Sequence, residues 1–184
     1  QYARERLQDT AEGAEVRDRH LDYFLKFAEE TEPKLTGADQ MMWFDRLDSD
    51  HDNIRSALDW SSGGEHIEKG LRLGGSLYRF WLTRGYWSEA YRRMDGLLKT
   101  RNVDTRTLGR GKALRIVAAF SGLAGLADLS RRYAEESISI LRERGAEARP
   151  WLESTLGVFA YSLLRRDLDA AHSYAEETAR LSRE

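Results

Sequence analysis

The sequence has no cysteine and only two prolines, Pro33 and Pro150, in 184 residues. The first absence excludes disulfides, thiolate metal sites and cysteine nucleophiles, and suits a reducing, cytoplasmic setting. Scarce proline beside abundant Leu, Ala, Arg and Glu favours an all-helical chain over a β architecture. An excess of one charge is also missing: 29 basic and 31 acidic residues leave a formal charge of −2. No global field draws nucleic acid or an anionic membrane to the chain, so neither is expected as a direct partner. The longest nearly apolar run, residues 116–127, is interrupted by Ser121, Gly122 and Gly125. It falls well short of the roughly 20 residues that span a bilayer. Because the chain opens at Gln1, with neither an initiator Met nor a signal-like apolar run, it reads as a segment of a longer polypeptide.

What is there is helical periodicity, clearest over residues 66–99. In the first arm Ile67, Leu71, Gly74 and Tyr78 mark one stripe and Leu73, Leu77, Phe80 and Trp81 another, so that arm is covered on two sides. After Gly85, the second arm sets Trp87, Ala90, Tyr91, Met94, Leu97 and Leu98 on one face and Glu89, Arg92, Arg93, Asp95 and Lys99 on the other. A doubly covered helix answered by a singly covered one is the hairpin that a stacked helical repeat requires.

The same spacing predicts helices along the rest of the chain. A short one is expected over 2–9, stopped between Thr10 and Gly13, and a longer one over 14–31, ended by Pro33. Thr36-Gly37-Ala38-Asp39 carries the capping signal for a helix to about Ser61, bent near Asp50 and ended by Gly63-Gly64. Thr105 or Thr107 is the expected cap of a helix to about Ala127, in which close packing accounts for Gly109, Gly111, Gly122 and Gly125. Asp128 is then the expected cap of a helix stopping at Gly145. Pro150 suits the first turn of the next, and Asp167 caps the last. The total is about nine helices.

A short pattern recurs: Phe27-Ala28-Glu29-Glu30-Thr31, Tyr133-Ala134-Glu135-Glu136-Ser137 and Tyr174-Ala175-Glu176-Glu177-Thr178. The last two start 41 residues apart, within the range of helix-turn-helix solenoid repeats, for which the tetratricopeptide period is about 34. Gly85-Tyr86-Trp87-Ser88-Glu89-Ala90 together with Leu73-Gly74 resembles the turn and paired Leu-Gly of a tetratricopeptide repeat, although about one helical turn longer. Leu156-Gly157 with Asp167-Leu168-Asp169-Ala170-Ala171 repeats it loosely.

Arg19-His20-Leu21-Asp22-Tyr23-Phe24, Trp43-Phe44-Asp45-Arg46-Leu47 and the run His51-Asp52-Asn53-Ile54-Arg55 closing on Trp60 stand in a recognisable order, followed by Leu71-Arg72-Leu73-Gly74 through Trp81. In that order they resemble the tetratricopeptide-like repeat region of bacterial multidomain signal-transduction ATPases and LuxR-type or AfsR-like transcriptional regulators. The resemblance covers essentially the whole chain. It implies a helical region that senses an inducer or partner and acts on other domains of the parent chain, including an ATPase domain. No catalytic part of such proteins falls within these residues.

Chemistry-bearing motifs each have a plainer account. Asp48-Ser49-Asp50-His51-Asp52-Asn53 starts like a calcium loop, but Asn53 replaces the sixth-position Gly and Asp59 the final Glu. Gly109-Arg110-Gly111-Lys112 lacks the first Gly and the magnesium-binding hydroxyl of a phosphate loop, where Arg106 and Ala113 stand. Arg101, Arg106, Arg110, Lys112 and Arg115 against Asp104 form a basic stretch suited to an acidic partner surface. The four histidines lack ligand spacing, and adjacent glutamates point about 100° apart on a helix, so no metal, cofactor or catalytic residue is expected.

The reading is an all-α, right-handed α-solenoid of degenerate tetratricopeptide-like hairpins. Residues 1–65 link from a preceding domain, and 66–184 form the repeats. The function expected is a sensor or protein-interaction segment of a transcriptional regulator. It would bind a protein, a peptide or a small inducer on a concave face lined by 66–84, 108–127 and 150–166. The expected contacts are Tyr78, Arg79, Trp81, Arg84, Arg115 and Tyr161, of which Arg79, Arg84, Arg115 and Tyr161 are expected to be exposed. The competing reading is a scaffold or homodimerisation module without a small ligand. A helical-bundle enzyme would need clustered carboxylates and histidines that this spacing lacks.

Overall fold

A computed structural model describes residues 11–100, 106–163 and 167–183. Among these residues the protein is all helical, with ten α-helices, three 3-10 segments and no strand. Helix α1 (Ala11–Thr31) runs into a 3-10 turn (Glu32–Thr36) at Pro33. Next come α2 (Gln40–Ser49), α3 (His51–Ser61), α4 (Ile67–Ser76), α5 (Tyr78–Arg84) and α6 (Trp87–Leu98). The C-terminal part holds α7 (Leu108–Leu123), α8 (Ala127–Glu143), α9 (Arg149–Leu163) and α10 (Leu168–Leu181).

Several expected boundaries move. The helix expected over 2–9 lies outside the described residues, but no stop occurs at Gly13, which is a buried position inside α1. Asp39 occupies the N-cap of α2 without a side-chain hydrogen bond, and the Gln40 amide is instead satisfied by the Gly37 carbonyl at 3.2 Å. The expected bend at Asp50 is a full break between α2 and α3. The first arm of the central hairpin breaks at Leu77, whose amide turns to the Gly74 carbonyl at 2.9 Å in a tighter, 3-10-like closure. The weak helix formers Gly74, Gly75 and Ser76 precede that break.

Helix α7 begins as its sequence indicates, with the Thr107 hydroxyl accepting from the Arg110 amide at 3.0 Å. It ends four residues before Ala127, because Gly125 takes a left-handed φ of 78° and the Leu126 amide closes on the Ser121 carbonyl at 2.9 Å. Gly125 is therefore a turn residue, and Asp128 sits in the first turn of α8 rather than capping it. Asp167 does cap α10, accepting from the Ala170 amide at 3.0 Å.

Helix α4 packs on α1 and α7; α7 also packs on α6 and α8; α9 packs on α8, α10 and the α7 face. Such approaches depend on missing side chains: a Cβ on Gly75 would stand 2.7 Å from the Lys112 Cβ, and one on Gly109 2.9 Å from the Arg72 Cγ. The first apolar core runs from Leu21 through Phe44, Ile54, Leu71 and Trp81 to Ile140, continuous across residue 65. A second, smaller core joins Ile138, Leu152, Leu156, Phe159 and Ala171. No described helix is long and apolar enough to cross a membrane.

Candidate functional site

Small residues open the site. Ala118 and Ala119 on α7, with Gly122 set close against Ser130, line a cavity of about 500 Å³. Its walls are Tyr78 and Leu82 from α5, Ser130 and Ala134 from α8, and Thr155 and Phe159 from α9. Leu123, Val158 and Tyr161, all substantially exposed, line it toward solvent. A volume of this size suits a small organic molecule.

One charge is buried in this largely apolar wall. Arg115 is only 6% exposed, and its guanidinium carbon lies 4.3 Å above the Tyr78 ring. Its Nε has no hydrogen-bond partner, and the side chain has no ion pair among the described residues. The nearby carboxylate is already engaged, since Glu32 accepts from Lys112 Nζ and from Trp151 Nε1, each at 2.6 Å. Burial lowers the Arg115 pKa, opposed by Tyr78 and Glu32, and the charge of Arg79 lowers it further. Burial raises the Tyr78 phenol, against the pull of Arg115 and Arg79. Lys112, also buried, is lowered by desolvation and opposed mainly by Glu32. Of the two buried cations, Lys112 has Glu32 as its ion-pair partner and Arg115 feels that carboxylate only at longer range.

The cavity has the size and lining to bind a ligand. Three of the cavity hydroxyls are committed to backbone carbonyls: Ser130 donates to Ala118 at 2.8 Å, Thr155 to Trp151 at 2.7 Å and Ser162 to Phe159 at 2.7 Å; the phenols of Tyr78 and Tyr161 and the charged side chains of Asp128 and Arg131 also line it. No histidine lines the cavity to serve as a base.

Of the six residues singled out in the sequence, Tyr78, Arg115 and Tyr161 meet at this cavity. Arg115 is buried rather than exposed, because α7 is covered on both sides and its glycines admit close neighbours. Trp81 is fully buried in the first core. Arg84 is only partly exposed and pairs with Asp45 at 2.6 Å and Asp48 at 2.7 Å. Arg79 is exposed and donates to the Leu35 carbonyl at 3.3 Å. Phe159, Leu82 and Ser130 were not foreseen. The signal that could have found them was the pair Ala118-Ala119 on α7, small residues on a helix buried nearly all round.

The other motifs resolve into packing and ion pairs. Asp48, Asp50 and Asp52 sit at or between helix ends and face Arg84, Arg46 and Arg55 respectively. In the basic stretch Arg106 pairs with Glu143, Arg110 with Glu136 and Lys112 with Glu32, while Arg101 and Asp104 lie outside the described residues. The glutamates of the recurring pattern serve the same end: Glu29 binds Arg72, Glu136 binds Arg110 and Glu177 binds Arg142, each on another helix.

Among curated proteins the chain is similar to proteins provisionally named HTH-type transcriptional regulators from Mycobacterium bovis and from two strains of Mycobacterium tuberculosis. Each is 28% identical over 155 residues, which is 80% of this chain but only 17% of the relative. No protein-family model matches the chain. No solved structure matches it either. The relatives support a transcription-regulator context.

Proposed function

We propose that this chain is the non-catalytic sensor and interaction segment of a bacterial, cytoplasmic, signal-transducing transcriptional regulator. The observation that carries this reading is the match along four-fifths of the chain to a small part of much longer regulators. In this proposal the successive hairpins α4–α6, α7–α8 and α9–α10 are turns of a right-handed, tetratricopeptide-like solenoid, and the segment before residue 66 links it to other domains, an ATPase domain among them. A ligand or partner engages the cavity and its rim, with Tyr78, Arg115 and Tyr161 in contact. Binding shifts the parent between inactive and active arrangements only if its affinity differs between the two.

The test is inducer-dependent transcription from a reporter, driven by a full-length regulator carrying this segment. Deletion of residues 66–184 is expected to abolish the response. A response that survives the deletion overturns the sensor reading.

The exposed apolar side chains Leu123, Val158 and Tyr161 favour a second reading, self-association through the same mouth. Sedimentation of wild type beside a Tyr161→Glu, Val158→Glu variant separates the two: a dimer that the variant dissociates supports the second.

A further inference from the structure

We infer that the cavity takes a small organic anion, a flat apolar body bearing one carboxylate or sulfonate, with the anionic group on Arg115. The inference deepens the sensor reading and rests on it. Three observations carry it. The walls offered by Leu82, Ala118, Ala134 and Phe159 suit an apolar body, and about 500 Å³ accommodates one of fused-ring size. At the inner wall stands a guanidinium that is more than nine-tenths buried and lacks an ion pair or hydrogen bond among the described residues. The charge around it is unbalanced, because Glu32, the one carboxylate that acts on it, is held by Lys112 and Trp151, while the cavity's own Asp128 is exposed and stands beside Arg131 in the lining.

A buried, uncompensated cation is costly, and the cost is relieved when a counter-ion completes it. The guanidinium fork matches a planar carboxylate or an oxyacid group with two parallel N–H donors, which a neutral ligand of the same shape cannot exploit. Tyr78 supports this arrangement. Its ring centroid lies 4.3 Å from the guanidinium carbon, a contact that uses none of the N–H donors. Cationic ligands are disfavoured by the same charge, and long polyanions by the enclosure.

Two fluorescent probes that share one ring system make the test: 1-anilinonaphthalene-8-sulfonate and its uncharged parent N-phenyl-1-naphthylamine, each titrated into the chain. The expected result is one anionic probe per chain, bound at least ten-fold tighter than the neutral one. Arg115→Met should erase that preference while keeping the neutral probe, and Arg115→Lys, which keeps the charge without the fork, should retain only part of it. Ala119→Phe, which fills the cavity and leaves Arg115 in place, should weaken both probes at least ten-fold, and helical circular dichroism checks that each variant is folded. Equal binding of the two probes, no binding of either, or an anion preference that survives Arg115→Met in a folded variant overturns the inference. Should Arg115→Met not fold, the decision passes to wild type and Ala119→Phe, where probes indifferent to the filled cavity overturn it. Failure on any of these counts removes the ligand class alone, whereas the sensor reading stands or falls on the transcriptional response.

Discussion

Glu89 shows how much a single carboxylate holds in this fold. Arg55 donates to it at 2.8 and 2.6 Å and Arg93 at 3.0 Å, so its pKa falls to about 2, with Arg55 the largest cause. A depressed carboxylate contributes stability that is present above its ordinary value of 4.5 and is lost as pH falls through about 2. We expect Glu89→Gln to lower unfolding free energy by roughly 2 to 3 kcal/mol at pH 7 and by little near pH 2. Urea unfolding at both pH values checks it. His51, packed 4.3 Å from Tyr86 and 5.2 Å from Phe80, adds an earlier limb. Burial, then Arg55, keeps it neutral against the opposing pull of Glu89, Asp48 and Asp52. The folded state therefore resists a proton that the unfolded chain takes up below about 6.5, and stability begins to fall there. His51→Asn should remove that limb from the pH profile. Arg115 behaves oppositely. Its burial without a partner predicts that Arg115→Met raises stability, by about 1 to 2 kcal/mol, in a thermal melt without ligand.

At the scale of elements, two caps were legible, while the caps expected at Asp39 and Asp128 and the continuity of the helices were not. Thr107 and Asp167 cap α7 and α10 as their positions indicate, because a side-chain oxygen before an apolar run satisfies a local amide whatever the rest of the chain does. Thr107 also donates to Glu68 at 2.7 Å, tying the start of α7 to α4. Thr107→Ala is accordingly expected to cost about 1 kcal/mol or slightly more in chemical unfolding. The break at Leu77 and the early end of α7 depend instead on which carbonyl a given amide reaches, and periodicity does not distinguish those choices. Burial of Arg115 was missed for a related reason: helix α7 carries so many small residues that neighbours close over positions a polar side chain would ordinarily keep in water. The candidate site was thus half visible. Tyr78, Arg115 and Tyr161 stood out as aromatic or basic residues on expected inner helices, whereas Phe159 and Leu82 looked like any other core position until helices from four parts of the chain met.

The described residues form an all-helical body with two apolar cores that meet near α7 and α8, where Ala118 and Tyr133 contribute to the junction. The cavity lies at this junction. A ligand there touches α5 from the first half and α7, α8 and α9 from the second, so its binding energy is positioned to bias how the two halves sit together. On the proposed sensor reading, that is how binding in this segment would act on a parent regulator. The most direct test is the inducer response of a full-length regulator carrying Ala119→Phe, read as reporter transcription with the protein's abundance measured alongside. The account predicts that the filled cavity abolishes the response while abundance stays at the wild-type level. A full response from that variant would contradict it.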